Sequence, residues 1–195
     1  MQLNILIVGV GGQGTLTASR ILGKVAEIKE MDVKLSEVHG MAQRGGSVVT
    51  HVRISSDKVF SPLIDLGGAD IIIAFEKLEA LRYIEYLAPK GKMFVNTQEI
   101  SPMPVITGKE KYPGDIETRL EQACGCVTFV PADKLAKEAG NIRAVNTVLL
   151  GAAAAYMDIE KDCFIDALKQ VVKPKLIDMN IDAFNIGYAF KGDTK

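Results

Sequence analysis

The chain has 195 residues, an apolar share of 48% and a net charge of −1 from 23 basic and 24 acidic side chains. A chain of this length suits one ordinary domain with enough apolar residues to fill a core. Balanced charge, no tryptophan and 6% aromatic content exclude a global electrostatic footprint for nucleic acid or an anionic membrane, and they weaken base stacking as a binding mode.

Leu3 to Val8 is a short, nearly continuous apolar run ending in glycines, which predicts a strand buried on both faces. Thr15 to Lys29 shows helical spacing, with Leu16, Ile21, Leu22, Val25 and Ile28 sharing one broad face. Val33 to Val38 returns to strand character, so the first forty residues read as a βαβ unit of a parallel sheet. Ser47 to Ile54 alternates: Val48, Thr50, Val52 and Ile54 point one way, and Val49, His51 and Arg53 the other. Ser56-Asp57 then supplies a turn into Lys58-Val59-Phe60, which predicts a hairpin.

Asp70 to Phe75 reads as another buried strand and Glu76 to Leu87 as its helix. Pro89-Lys90-Gly91 predicts a turn before a strand over Lys92 to Asn96. Pro102, Pro104 and Pro113 mark Ser101 to Gly114 as a loop with at most one edge strand, Val105-Ile106. Val127 to Val130 is a last core strand, and the chain from Pro131 onward is mostly helical. Ala144 to Met157 is small and apolar all round, hence buried, and Ile177, Ile181, Phe184 and Tyr188 line one face of a final helix. The fold class expected is α/β: a Rossmann-like, mostly parallel sheet flanked by helices, with a β-hairpin insertion and a helical C-terminal part, in a single domain over 1–195.

Gly9-Val10-Gly11-Gly12-Gln13-Gly14 matches G-x-G-x-x-G between a predicted strand and helix. Glycines there permit a tight turn and close backbone approach, and the helix N-terminus aims free N–H groups at an anion. The same glycines also serve close helix–strand packing alone, so both readings stand. A dinucleotide site further expects an acid at the end of the second strand. Glu37 holds roughly that place, whereas Asp32 comes too early.

Ser36 to Ser47, SEVHGMAQRGGS, gathers one of two histidines, an arginine and three glycines. Arg44 followed by Gly45-Gly46 offers a permanently charged fork beside approachable backbone. His39 is of the right type for acid–base work. Glu37 orients it only if the backbone bends back, and Gln43 and Ser47 add neutral hydrogen-bonding groups. A polar crossover loop, with His39 capping backbone and Arg44 paired to a surface acid, is the plainer alternative. Position decides between them, because ligands of open α/β sheets gather at the carboxyl ends of the strands.

Other features carry structural readings. His51 is mid-strand and reads as a packed histidine. Cys124, Cys126 and Cys163 are odd in number, lack C-x-x-C spacing and fall short of the four thiolates of an iron–sulfur cluster. They suit free thiols in a reducing compartment. Asn141 to Asn146 reads as capping before an apolar helix, with Asn146 reaching a ligand as the minor alternative. The N-terminal run is too short for a signal h-region and no window approaches a membrane span, so the chain is expected to be soluble and cytoplasmic.

GVGGQGTLTASRIL, LSEVHGMAQRGGSVVTHVRI, RAVNTVLLGAA and VVKPKLIDMNIDAFNIGYAF together resemble the beta subunits of indolepyruvate:ferredoxin oxidoreductases, and more broadly the gamma-type subunits and domains of 2-oxoacid:ferredoxin oxidoreductases. The resemblance covers nearly the whole chain. It implies one component of an enzyme that oxidatively decarboxylates a 2-oxoacid with thiamine diphosphate, passes electrons through [4Fe–4S] clusters to ferredoxin and releases an acyl-CoA. Thiamine diphosphate and clusters would sit on a large partner subunit, so the chain alone would be inactive. Carried over by motif, Gly9, Gly11, Gly12, Gln13 and Gly14 would face the partner or the path of coenzyme A. Glu37, His39, Gln43, Arg44, Gly45 and Gly46 would form the second wall, with Arg44 clamping an anion. No metal ligands are expected. A stand-alone NAD(P)-dependent oxidoreductase and a non-enzymatic coenzyme A or nucleotide sensor remain as alternatives.

Overall fold

The computed structural model describes residues 1–40 and 45–192. Six strands form one sheet in the order β2-β3-β1-β4-β5-β6. They are β1 (Gln2–Val10), β2 (Asp32–His39), β3 (Ser47–Ser55), β4 (Ala69–Ala74), β5 (Leu87–Asn96) and β6 (Val127–Val130). β1, β4, β5 and β6 pair parallel, whereas β3 is antiparallel to both β1 and β2.

The predicted βαβ unit is therefore split. β1 and β2 run in the same direction, but β3 lies between them. The hairpin joins β2 to β3 through residues 40–46, and Lys58 to Phe60 forms no strand, which corrects the hairpin expected one turn later. The physical reason is register. Each residue of β2 from Asp32 to His39 has a direct partner between Ser55 and Val48, so Val48–Ser55 is paired on both edges. Asp32 opens β2 and accepts from the Val59 N–H at 2.7 Å, which holds its carboxyl below the usual range.

Helices cover both faces. α1 (Thr15–Ile28), α5 (Ala132–Glu138), α6 (Val145–Ala154), α7 (Lys161–Val171) and α8 (Ile177–Ala189) pack on one side. α2 (Lys77–Arg82) and α4 (Ile116–Ala123) pack on the other. Period-two alternation divides the buried runs between them: Ile5, Ile7, Ile71 and Ile73 face the α1 side, and Leu6, Val8, Ile72 and Ala74 the α2 side. That is why these strands read as continuous apolar runs.

Three further expectations shift. β5 begins at Leu87, and the Pro89-Lys90-Gly91 segment lies within it, beside an irregularity in its pairing to β4. Val105 and Ile106 belong to a short helix, α3 (Met103–Ile106), with Pro104 in its first turn, where a missing N–H costs nothing. In α8 the residues that bury most fully are Asn180, Ala183, Phe184 and Gly187, not the aliphatic stripe of Ile177 and Ile181. The cause is α6: side chains at Gly151 or Gly187 would run into the carbonyls of Phe184 and Val148, so the two helices meet backbone to backbone.

Candidate functional site

The carboxyl ends of β1, β4, β5 and β6, the end of β2 and the start of β3 converge on one rim of the sheet. There the glycine loop meets the hairpin loop directly: the Gly11 N–H donates to the Gly46 carbonyl at 3.0 Å. Gly40 closes the base of the hairpin loop by donating to Ser47 at 2.9 Å. Gln43 and Arg44 lie outside the described residues, so the expected anion clamp at Arg44 has no geometry to report.

Gln13 is a brace for the rim. Its Oε1 accepts from the Val10 N–H at 2.7 Å, and its Nε2 donates to the Phe75 carbonyl at 3.0 Å and Gln98 Oε1 at 2.8 Å. One side chain thus ties the ends of β1, β4 and β5. Gly9 must be a glycine because an added Cβ would meet Gln13 Oε1 at 2.8 Å and Phe75 Cβ at 3.0 Å. Gly14, with φ of 91°, takes the left-handed turn into α1. Gly12, Gly14, Thr15 and Leu16 donate no backbone hydrogen bond among the described residues, as expected of the first turn of a helix.

Glu37 and His39 come together without any bend. β2 runs straight to His39, so both side chains share the α1 face and Glu37 Oε1 lies 2.6 Å from His39 Nε2. The other carboxylate oxygen accepts from Thr50 Oγ1 at 2.9 Å. His39 remains mostly exposed, leaving Nδ1 free of any partner among the described residues. Glu37 is poorly placed for a dinucleotide ribose. β3 separates β2 from β1, putting that acid two strand spacings, about 10 Å, from the glycine loop's strand, and both its oxygens already have partners.

The α2 face contains acidic residues that the sequence reading missed. Glu76 is fully buried at the N-cap of α2. It accepts from the Glu79 N–H at 2.9 Å, the Ile100 N–H at 3.0 Å and the Tyr112 hydroxyl. Burial and this carboxylate push the Tyr112 phenol far above its ordinary range. Glu79, 2% exposed, accepts from Ser47 Oγ at 2.5 Å and Arg82 Nη1 at 2.5 Å, so it moors the hairpin loop to α2. Lys77 bridges Glu99 and Glu117. Asn96, also fully buried, links Phe75, Asp133 and Ala132. The signal for these residues is a single polar side chain at the end of a buried apolar run, as in DIIIAFE and MFVN.

His51 is 6% exposed; its Nδ1 accepts from the Ile64 N–H at 3.1 Å, and burial lowers its pKa. Cys124 and Cys126 line a cavity of about 690 Å³ with Lys92, Phe94 and Tyr156 at the β6 edge, and burial pushes the Cys124 thiol up. Among the described residues no three His, Cys, Asp or Glu side chains converge as a metal site. No helix among them is long and apolar enough to cross a membrane.

The profile of the pyruvate ferredoxin/flavodoxin oxidoreductase family matches residues 4–190. The chain belongs to this family. Within it, the chain is 42% identical to the indolepyruvate oxidoreductase subunit IorB of Archaeoglobus fulgidus, covering 96% of this chain and 94% of that one. It is 41% identical to the subunit of the same name from Thermococcus kodakarensis, covering 95% and 94%. The fold is shared with the 2-oxoglutarate:ferredoxin oxidoreductase from Magnetococcus marinus, solved with 2-oxoglutarate, coenzyme A and succinyl-CoA bound. There the TM-score is 0.73 at 20% identity, over 96% of this chain and 30% of that one.

Proposed function

We propose that this chain is the small subunit of an indolepyruvate:ferredoxin oxidoreductase and that its rim forms the coenzyme A and substrate side of a shared active site. The supporting observation is the Gly11–Gly46 hydrogen bond. It joins the two loops that the sequence marks, at the rim where ligands of such sheets bind. Gly9, Gly11, Gly12, Gln13 and Gly14 make one wall, and Glu37, His39, Gln43, Arg44, Gly45 and Gly46 the other. In the first wall Gln13 holds shape, Gly11 ties the two loops together, and the N–H groups of Gly12 and Gly14 meet the ligand.

The reaction releases carbon dioxide from the 2-oxoacid, transfers the remaining acyl group to coenzyme A and delivers two electrons to ferredoxin. Thiamine diphosphate, which stabilises the carbanion when bound, and the [4Fe–4S] clusters belong to a large partner subunit. Residues 1–195 act as one domain of this cytoplasmic hetero-oligomer. Its own residues bind and orient the thiol cosubstrate and exclude water. Reconstitution with the large subunit tests the reading: methyl viologen reduction should require both chains and coenzyme A, and indolepyruvate should outpace pyruvate and 2-oxoglutarate. Full activity of the large subunit alone would contradict it, as would micromolar NADH binding by the isolated chain.

A further inference from the structure

Cys124 and Cys126 flank Gly125 in the turn that joins α4 to β6. Both cysteines are anchored through their backbone. The Cys124 N–H donates to the Leu120 carbonyl at 2.9 Å, and the Cys126 carbonyl accepts from the Met93 N–H of β5 at 3.0 Å. Gly125 between them is not packed: a Cβ added there would meet no atom within 4 Å. Two fixed residues therefore face each other across a glycine with room to turn. Cα atoms two residues apart across a turn fall within the roughly 4.4–6.8 Å that a disulfide spans.

The two thiols differ in access. Cys126 is exposed, whereas Cys124 is half-buried. Burial pushes the Cys124 thiol up, the Cys126 N–H offsets part of that, and the charge of a Cys126 thiolate adds to it. The second sulfur is thus close enough to be felt by the first. Both line the cavity of about 690 Å³ at the β6 edge, with Lys92 and Glu121 supplying one charge of each sign. That cavity gives a small molecule space beside the exposed thiol. An accessible thiol with a shielded one next to it is the arrangement of an attacking and a resolving cysteine.

We propose that Cys124 and Cys126 form a modification site at which a low-molecular-weight disulfide oxidises the pair to an intrachain disulfide. The Cys126 thiolate attacks one sulfur of the small disulfide, forms a mixed disulfide and expels one small thiolate. The Cys124 thiolate then attacks Cys126 Sγ, closes the intrachain bond and expels the second. The pair gives up two electrons and two protons; the small disulfide gains the electrons, and the two released thiolates take up the protons. A bond across so short a loop is strained and readily reduced, so the change is reversible. The site lies at the amino end of β6, away from the rim, and rests on no part of the proposed function.

The test uses the full chain, reduced and then exposed to glutathione disulfide. The tryptic peptide from Leu120 to Lys134 carries both cysteines. It should lose two hydrogens in mass, carry no glutathione, and regain the hydrogens on treatment with a dithiol reductant. C124S lacks the second attack and should retain one glutathione on Cys126. C126S should react about tenfold more slowly, because its remaining thiol is shielded. The mass of the parent peptide needs no substitution, so a variant that fails to fold leaves the test standing. A lasting glutathione adduct on the parent peptide, or an unchanged mass, would overturn the proposal. A bond from either cysteine to Cys163 would do the same, as would a C126S chain that reacts as fast as C124S.

Discussion

The two faces of the sheet treat the same rim in opposite ways. On the α2 face Glu76, Glu79 and His51 are buried and satisfied by the protein itself: three donors on Glu76, two on Glu79 and a backbone N–H on His51. On the α1 face the backbone N–H groups of Gly12, Gly14, Thr15 and Leu16 have no backbone acceptor among the described residues. One face is scaffold, and the other is the one the proposed function assigns to the ligand. A buried charge with every oxygen paired resists movement, whereas donors at the head of a helix without intrahelical acceptors are available to a ligand.

The contrast is easiest to break at Glu76. Glu76→Ala orphans three donors, one buried and two half-buried, and should cost about 3–5 kcal/mol in denaturant unfolding. Glu76→Gln, which keeps shape and one acceptor oxygen, should cost less. If Glu76→Ala lost under about 1 kcal/mol, the α2 face would not be the scaffold described.

His51 sharpens the comparison with a smaller effect. Its folded pKa lies below its unfolded value, with burial as the cause, so the unfolded chain takes up a proton first as pH falls. This contribution to stability is complete above about pH 6.5 and is lost as pH drops below that value toward the folded pKa. His51→Asn keeps an acceptor for the Ile64 N–H and does not titrate. Its unfolding free energy should therefore fall less steeply below pH 6.5 than that of the parent chain; parallel profiles would remove His51 from the account.

How much was legible in the sequence follows the same division. β1 and β4 were plain because their central runs, Ile5 to Val8 and Ile71 to Ala74, are buried on both faces and apolar at every position. The pairing of β2 with β3 was not, because a seven-residue gap with three glycines hides a hairpin as readily as a crossover. Pro89 and Gly91 read as a turn although β5 carries them through an irregular stretch of pairing. Glu76 and Glu79 were missed because an acid early in a helix usually serves only the dipole, and nothing in spacing says that Ile100, Tyr112 and Ser47 will reach them. For the rim, the two loops were legible as motifs. Their direct bond was not, and neither was the bracing role of Gln13, since both depend on strand order.

The central claim is that the α1 face of the rim binds the thiol cosubstrate while the α2 face holds it in place. Amide hydrogen exchange on the assembled complex, with and without coenzyme A, tests it most directly. Exchange should slow at residues 12–16 and stay unchanged at 77–83. Unaltered exchange at 12–16, or protection confined to 77–83, would contradict the account.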